Sequence, residues 1–230
     1  MCKRWVPGEA PENNREWVFA RSCLLNLKKK DILMFKRLYC LIFSVLIAAP
    51  VFAGENTGSI SGKVKVLRAR RSADVVVFLA DVPGTFAPPA NRPRIDQKNL
   101  IFIPHVLPVI VGTTVDFANG DTVLHNIFSP SKTKKFNLGS YGSDIVKQKT
   151  FDKEGKVALL CNVHTEMSAF IMVLPNPFYA KTGNDGSFTI TAIPPGEYTL
   201  KAWHEKNRPY QQKVTVKAGN TTEIKIKLRR

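Results

Sequence analysis

The residue types best suited to chemistry lie in one short segment, Cys161-Asn162-Val163-His164-Thr165-Glu166-Met167, directly after an apolar run. Another histidine, His125, lies well upstream of this segment. Two imidazoles, one thiolate and one thioether are the soft and borderline ligands that suit copper, and a trigonal His₂Cys set with a long axial Met is the blue-copper arrangement. The sequence therefore predicts one type 1 copper ion held by four side chains, namely His125, Cys161, His164 and Met167.

The spacing of these residues makes physical sense for a metal site. Cys161 ends a strand-like run, His164 follows three residues later and Met167 follows six residues later. One tight loop can therefore wrap these three side chains around a single ion. His125 must reach the same ion from the end of a neighbouring strand, because it is distant in sequence.

The ligand segment and its surroundings resemble the cupredoxins, the family of plastocyanin and amicyanin. The residues that carry this resemblance are His125-Asn126, the Cys161-x-x-His164-x-x-Met167 loop and the segment Val111–Phe117. The two-residue gap between the second histidine and the methionine is similar to amicyanin rather than to plastocyanin, whose ligand loop is longer. The resemblance covers about residues 98–175 and implies a Greek-key cupredoxin domain there.

The resemblance also implies a role for each matching residue. His125 and His164 would be the imidazole ligands, Cys161 the thiolate and Met167 the axial ligand. Asn126 would donate its backbone N–H to the sulfur of Cys161, an interaction that tunes the reduction potential.

One position in the loop departs from the family pattern. Family loops often carry proline near the second histidine, whereas Thr165 and Glu166 stand here. We expect the negative charge of Glu166 to lower the reduction potential of a nearby metal ion.

Two other interpretations of the same segment stay open. In the first, Cys161 is a small buried hydrophobic residue of a cupredoxin scaffold. This interpretation does not explain why His164 and Met167 follow Cys161 so closely in sequence. In the second, the ion is zinc, although methionine is a poor zinc ligand and structural zinc sites use Cys and His.

The two remaining histidines raise the question of a second metal site. His105 lies in a strand-like region, and His204 directly precedes Glu205. A site built from His105, His204 and Glu205 is one interpretation. The simpler one, which we favour, is that each is an ordinary surface or partly buried side chain.

The N-terminal region has the pattern of a targeting sequence. Residues 38–53 carry no charge, Lys36 and Arg37 precede them, and small residues close the run at Val51-Phe52-Ala53. This order is typical of a secretory signal peptide, which we assign to residues 34–53 with Met34 as its start. Residues 1–33 are then expected to be a non-native extension, and the mature protein is expected in the periplasm.

Cleavage after Ala53 would leave Cys161 as the one cysteine and change the charge balance. The mature part keeps 25 Lys and Arg against 14 Asp and Glu, a net charge of +11. Such a charge favours acidic partners. Nucleic acid is not expected as a partner, because the protein is exported and has no nucleic-acid-binding motif. No membrane span is expected after the signal peptide is removed.

The mature chain is rich in short alternating segments separated by turns, which predicts an all-β fold. The clearest example is Glu223–Leu228, in which charged and apolar residues alternate strictly. Thr182–Ile190 and Ile193–Leu200 resemble the carboxypeptidase-regulatory-like domain, a small transthyretin-like β-sandwich. Such domains usually open with strands like Ile60–Val64 and Val75–Leu79, which here precede the metal segment.

We therefore predict a split sandwich from residues 57–90 plus 176–230, with the cupredoxin domain (98–175) inserted between its halves. The alternative is that Ser59–Ala80 supplies the first strands of the cupredoxin domain itself. Strand pairing distinguishes the two hypotheses. The split sandwich is expected to be a spacer or docking module.

The predicted function is that of a periplasmic, non-enzymatic electron carrier that exchanges single electrons with redox partner proteins. The basic run Lys132-Thr133-Lys134-Lys135 would steer an acidic partner. Two alternatives from other classes stay open, namely a copper-delivery protein and a non-redox β-sandwich interaction module. Delivery sites tend to use more sulfur, whereas the mature chain has only Met167 and Met172 beside its single thiol.

Overall fold

The computed structural model describes residues 56–230. The predicted signal peptide (34–53) and the extension before it (1–33) lie outside the described residues. The regular elements in this range are sixteen β-strands, which confirms the all-β prediction. None of residues 56–230 lies in a helix long and apolar enough to cross a membrane.

The strands are numbered in chain order, with these bounds: β1 Gly58–Val66, β2 Val76–Leu79, β3 Arg94–Lys98, β4 Ile101–Ile103, β5 Val106–Ile110, β6 Thr113–Phe117, β7 His125–Ser129, β8 Phe136–Tyr141, β9 Lys147–Phe151, β10 Gly155–Leu160, β11 Ser168–Leu174, β12 Tyr179–Lys181, β13 Ser187–Ile193, β14 Gly196–Trp203, β15 Tyr210–Val216 and β16 Thr221–Leu228.

Two of the four sheets combine the first two strands with the last five, and we call this pair the discontinuous sandwich. Its strand orders are β13-β1-β16 and β12-β2-β14-β15. β1 runs parallel to β16 and antiparallel to β13, while β2 lies antiparallel to both β12 and β14. These are the pairings that the insertion hypothesis requires, because β1 and β2 find their partners beyond the intervening segment.

Strict alternation of side chains builds the core of the discontinuous sandwich. In β16, Ile226 and Leu228 point inward while Lys225 and Lys227 are exposed. β1 contributes Ile60 and Val64 to the same cluster. Gly62 lies opposite Ile224 in the parallel ladder, and a Cβ there would collide with the Ile224 carbonyl. Close backbone approach therefore requires glycine at this position.

The segment between β2 and β12 forms the other two sheets, which we call the inserted sandwich. Its strand orders are β5-β11-β10-β7-β8 and β4-β3-β6-β9. Its core is rich in aromatic rings, with Phe117 in tilted contact with both Phe136 and Phe151. Cys161 and Met167 belong to the same buried cluster.

Strand direction brings the predicted metal ligands to one end of the inserted sandwich. β7 begins at His125, β10 ends at Leu160, and the two strands are antiparallel neighbours with Leu160 opposite Phe128. Because the strands are antiparallel, the chain beyond Leu160 runs alongside β7 toward His125. The loop 161–167 leaves from this edge and returns into β11. We call this edge the metal end.

The two sandwiches pack against each other through a small apolar cluster. Its buried members are Val76, Phe78, Val106, Met172 and Leu174. At its margin the rings of Phe170 and Trp203 lie 5.5 Å apart, and Lys181 Nζ donates to the carbonyl oxygen of Val106 across 3.0 Å. Met172 therefore serves the contact between sandwiches, whereas Met167 belongs to the core beside the metal end.

Candidate metal centre

Three of the predicted ligands converge. One ligand-capable atom from each of His125, Cys161 and His164 lies within 4.8 Å of the other two. The imidazoles face each other through their Nδ1 atoms, 3.1 Å apart. Three atoms this close share a point within about 2.8 Å of each, near the roughly 2.0–2.3 Å bonds of nitrogen and sulfur ligands to a metal ion. Within residues 56–230, this is the one group of three or more His, Cys, Asp or Glu residues that converges in this way.

The ligand loop is closed by its own backbone. Met167 N–H donates to the carbonyl of His164 across 3.1 Å, and Cys161 N–H donates to the carbonyl of Met167 across 3.4 Å. These bonds fold residues 161–167 into a tight turn and return Met167 to the level of Cys161. Both side chains are buried in the core of the inserted sandwich.

Burial differs among the four residues of the predicted donor set. His125 is 0%, Met167 1% and Cys161 4% exposed, whereas His164 is partly exposed. Three donor side chains are thus shielded from bulk water, and the ring of His164 alone among the four reaches the surface.

Asp121 orients the buried histidine, a role that the sequence analysis missed. Its Oδ2 lies 2.8 Å from His125 Nε2, so that ring nitrogen donates to the carboxylate. A neutral imidazole has one donor and one acceptor nitrogen, which leaves a lone pair on His125 Nδ1, the atom that faces His164. The signal was present in the sequence as a carboxylate four residues before the histidine, but nothing there indicated contact.

The same carboxylate accepts two backbone bonds from the turn between β3 and β4. Asn99 N–H donates to Asp121 Oδ1 across 2.7 Å and Leu100 N–H donates to Oδ2 across 3.1 Å. Partial burial raises the pKa of Asp121, but the hydrogen bonds from Leu100, His125 and Asn99 outweigh it, so that the pKa lies below its ordinary value. Asp121 is therefore anionic at neutral pH.

A buried amide holds the loop that carries Asp121. Asn119 Nδ2 donates to the carbonyls of Val123 and Tyr141, across 2.8 and 3.0 Å. Its Oδ1 accepts the backbone N–H of Asp121 across 2.9 Å, a turn that asparagine favours. The loop between β6 and β7 is thereby fixed from both sides, which delivers His125 to the metal end.

Tyr141 lies opposite His125 in the β7–β8 ladder. Its hydroxyl accepts a hydrogen bond from Gln97 Nε2 across 2.9 Å. Burial raises the pKa of Tyr141 well above its ordinary value, with smaller contributions in the same direction from Asp96 and Cys161 and an opposing one from Gln97. The phenol therefore stays neutral and buried beside the metal end.

Asn126 is buried, and its side chain belongs to a second polar contact. Its Nδ2 donates to Asn137 Oδ1 across 2.7 Å, while its own Oδ1 is buried with no hydrogen-bond partner among the described residues. The backbone bond from Asn126 to the sulfur of Cys161 stays a prediction.

The remaining histidines do not assemble a second metal site among residues 56–230. His105 Nδ1 lies 3.1 Å from the carbonyl oxygen of Ser168, and its Nε2 lies 3.4 Å from Glu205. His204 Nδ1 instead accepts the backbone N–H of Lys206 across 3.3 Å. His105 and Glu205 thus join the two sandwiches, and His204 closes a local turn.

The metal end carries several exposed apolar side chains. Leu124, next to His125, is 61% exposed, and Val163, next to His164, is 53% exposed. Val123, Ile145 and Val146 are also large exposed hydrophobic residues, and they lie in the two connections that flank β7 and β8. We call these five residues the apolar rim.

The basic run 132–135 lies at the other end of the β7–β8 hairpin. Ser129 pairs with Phe136 next to the run, whereas His125 pairs with Tyr141 at the metal end. Four residues of strand span about 14 Å, which exceeds the Debye length of roughly 8 Å at physiological ionic strength. Lys134 is also paired with Asp152 across 2.7 Å. The run and the metal end therefore lie at opposite ends of this hairpin.

The donor set fits copper better than zinc. Two imidazole nitrogens and a thiolate, with a thioether nearby, are the donors characteristic of type 1 copper, whereas methionine is a poor ligand for zinc. His125, Cys161 and His164 would bind the ion directly, with Met167 beside them.

Comparison with protein families gives one match. Residues 168–229 match the carboxypeptidase regulatory-like domain. The match begins with β11 of the inserted sandwich and continues through β12–β16, while β1 and β2 lie outside it. No curated protein matches the chain.

Three solved structures are similar to parts of the chain. A purple cupredoxin from Nitrosopumilus maritimus is 26% identical, with 35% of this chain and 98% of that chain covered and a TM-score of 0.32. A reduced mutant of amicyanin is 18% identical, with coverages of 42% and 97% and a TM-score of 0.35. A copper-containing nitrite reductase from Thermus scotoductus SA-01 is 21% identical, with coverages of 48% and 28% and a TM-score of 0.35. The chain is thus similar to cupredoxins in one part and to the carboxypeptidase regulatory-like domain in another, the two resemblances that its sequence carries.

Proposed function

We propose that this protein is a periplasmic type 1 copper protein that carries single electrons between redox partner proteins and catalyses no reaction of its own. The convergence of His125, Cys161 and His164 within 4.8 Å of one another carries the proposal. The burial of Met167 against the same core supports it, because a fourth, soft donor then lies beside the three.

Copper supplies a one-electron couple between Cu(I) and Cu(II), and outer-sphere transfer needs no bond to a substrate. The chain contributes rigidity. His125 and Cys161 stand at the ends of paired strands, and hydrogen bonds to Asp121 and within the ligand loop fix both. A fixed donor set accommodates both oxidation states with little rearrangement, which keeps the barrier to electron transfer low.

His164 is the proposed route for electrons, because its ring is the exposed member of the donor set. The apolar rim includes Leu124 and Val163, which lie directly next to the two histidines in sequence. An apolar contact can exclude water and bring a partner's redox centre close to the imidazole. We therefore propose the apolar rim as the docking surface for redox partners.

The proposed partners are acidic. The mature chain would carry a net charge of +11, and a field of that sign raises the association rate of acidic proteins in a salt-dependent way. Because the run 132–135 lies at the far end of its hairpin, we assign the steering to the summed charge rather than to that run. Export to the periplasm is supported by the signal-peptide pattern in residues 34–53.

The test is a titration of purified mature protein with Cu(II) while its visible spectrum is recorded. We expect one equivalent to bind and to produce the intense absorption near ~600 nm of a Cu(II)–thiolate bond. Two matched pairs of variants assign the ligands. His125→Gln and Met167→Leu are expected to change the spectrum, whereas His105→Gln and Met172→Leu are expected to leave it unchanged.

The same titration separates the rival functions. Colourless protein that takes up only Cu(I) would support copper delivery in place of electron transfer. Failure to bind copper in either oxidation state would support a β-sandwich interaction module. Equal effects of His125→Gln and His105→Gln on the spectrum would contradict the ligand assignment.

A further inference from the structure

We propose that Asp121 is a positioning residue that fixes the ring of His125 for metal binding and ties this ring to the tip of the β3–β4 hairpin. The proposal rests on the proposed copper site. It concerns a residue outside the donor set, which acts through the histidine and not on the metal itself.

The first observation is the geometry of the carboxylate. Its Oδ2 lies 2.8 Å from His125 Nε2, and the His125 side chain is fully buried while that of Asp121 is 14% exposed. Without the carboxylate, this buried N–H would have no acceptor, and leaving it unpaired would cost free energy. The carboxylate therefore decides which nitrogen of His125 carries the proton.

The second observation is the direction of the other nitrogen. His125 Nδ1 lies 3.1 Å from His164 Nδ1. Because His125 donates through Nε2, its Nδ1 accepts, and the proton between the two rings belongs to His164 Nδ1. In the metal-free protein the two histidines should therefore hold opposite tautomers, with His125 already prepared as an Nδ1 ligand.

The third observation is the hairpin tip. Asn99 and Leu100 both have positive φ, 55° and 59°, as the turn of a two-residue hairpin requires. Leucine rarely adopts this conformation, and both backbone N–H groups donate to Asp121. One carboxylate thus holds both an unfavourable turn and a buried ligand ring, so that a displacement of the tip is transmitted to His125.

The competing explanation is that Asp121 only caps the β3–β4 turn. The variant Leu100→Gly distinguishes this explanation from a role in positioning His125. Glycine adopts positive φ without penalty, so Leu100→Gly should relieve the need for a cap. If Asp121 only caps the turn, Leu100→Gly combined with Asp121→Ala restores both stability and metal binding. If Asp121 positions His125, the double variant recovers stability but keeps the defect in metal binding.

The first readout uses the metal-free protein and long-range ¹H–¹⁵N correlation spectra of the histidine rings at one fixed pH. We expect His125 as the Nε2–H tautomer and His164 as the Nδ1–H tautomer in the parent protein. Asp121→Ala should lose the single tautomer of His125. Asp144→Asn, which removes one exposed acidic charge from the β8–β9 turn, should leave both rings unchanged.

The second readout is the copper dissociation constant, measured by competition with a chelator. Loss of an outer-shell partner typically weakens metal binding about 10–100-fold, and we expect this range for Asp121→Ala. Asp121→Asn keeps an acceptor oxygen but loses the charge, so it should bind more tightly than Asp121→Ala and show a higher reduction potential than the parent.

Two outcomes would overturn the proposal. One is a parent spectrum in which His125 is protonated at Nδ1. The other is a double variant whose tautomers and copper affinity return to those of the parent. If the parent protein has the expected tautomers but takes up no copper, the proposed function fails while the orienting role of Asp121 stands.

Discussion

The two sandwiches bury different kinds of side chain. The discontinuous sandwich buries an almost entirely apolar set, and its two buried polar residues are Asn176 and Thr182. The inserted sandwich buries six, namely Gln97, Thr113, Asn119, His125, Asn126 and Ser129. Burying a polar group costs about 1–3 kcal/mol unless a hydrogen bond compensates. The inserted sandwich therefore depends on hydrogen bonding at more fully buried polar side chains than the discontinuous sandwich does.

The partners of these polar groups explain the difference. Asn176 Nδ2 donates to the Leu79 carbonyl across 2.8 Å and Thr182 Oγ1 donates to the Ser72 carbonyl across 2.6 Å, so both tie together segments that are distant in sequence. In the inserted sandwich, Asn119 and Asp121 instead fix the loop and the ring that deliver His125. Polar groups of the inserted sandwich thus include some that position His125, whereas those two residues of the discontinuous sandwich tie segments of the chain together.

The largest effect that this comparison predicts is that of Cys161→Ser. The variant should lose the absorption near ~600 nm completely, because the Cu–thiolate bond produces it. The free energy of unfolding of the metal-free protein should fall by only about 1–3 kcal/mol, the cost of burying a hydroxyl group in place of a thiol. Visible absorption and chemical denaturation measure the two effects. Colour that survives the substitution would contradict the assignment of the thiolate.

A matched pair of core truncations tests whether the sandwiches have separate roles. Leu159 lies in β10, two residues before Cys161, and Leu200 lies in β14; both are fully buried. Each substitution to alanine should lower the free energy of unfolding by about 2–5 kcal/mol.

The spectrum of bound copper should respond to only one member of this pair. We expect a shifted absorption band in Leu159→Ala and an unshifted band in Leu200→Ala, measured on the folded, copper-loaded proteins. An equal shift in both variants would mean that the sandwiches form one functional unit.

The contact between the sandwiches should show a smaller, pH-dependent effect. Burial raises the pKa of Tyr179 above its ordinary value of 10.0, so the folded protein keeps the phenolic proton at a pH where the unfolded chain releases it. The contribution of the Tyr179 phenol to the free energy of unfolding is fully present below pH ~10. It is lost as the pH rises above that value, at no more than about 1.4 kcal/mol per pH unit.

Tyr179→Phe should remove this part of the pH dependence. Denaturant midpoints between pH 8 and pH 11 measure the slope for the parent and the variant. The lost hydrogen bond should lower the free energy of unfolding only slightly, because the hydroxyl lies 3.5 Å from its acceptor, the Pro108 carbonyl. Parallel curves for parent and variant would contradict the prediction.

The smallest predicted effect is that of removing one surface charge, either at the metal end or on the discontinuous sandwich. Lys147 begins β9 at the metal end, and its Nζ lies 5.1 Å from the ring centre of Tyr141. Lys225 is exposed on β16 of the discontinuous sandwich. One charge about 10 Å away in water contributes about 0.4 kcal/mol.

Lys147→Gln should therefore slow electron exchange with an acidic redox protein about twofold at low salt, and Lys225→Gln should not. Stopped-flow rates at several ionic strengths measure both variants. An equal slowing by both would place the docking surface elsewhere than the metal end.

Sequence patterns predicted the alternating strands well and the polar ones poorly. β1, β14 and β16 follow from period-two alternation, which is the direct signature of a half-buried strand. β3 (Arg94–Lys98) and β9 (Lys147–Phe151) were not predicted, because their exposed charged residues weaken the apolar signal. Their strand conformation depends on ladder partners, β4 and β6 for the first and β6 for the second.

The sequence by itself determined the chemistry of the donor set and the all-β character, because ligand type, loop spacing and alternation are local properties. Only the tertiary structure decided that β1 and β2 pair with strands more than a hundred residues away, that the run 132–135 lies far from the metal end, and that Asp121 joins His125 to the β3–β4 turn. These relations depend on which strand ends meet, and packing of the whole chain sets that arrangement.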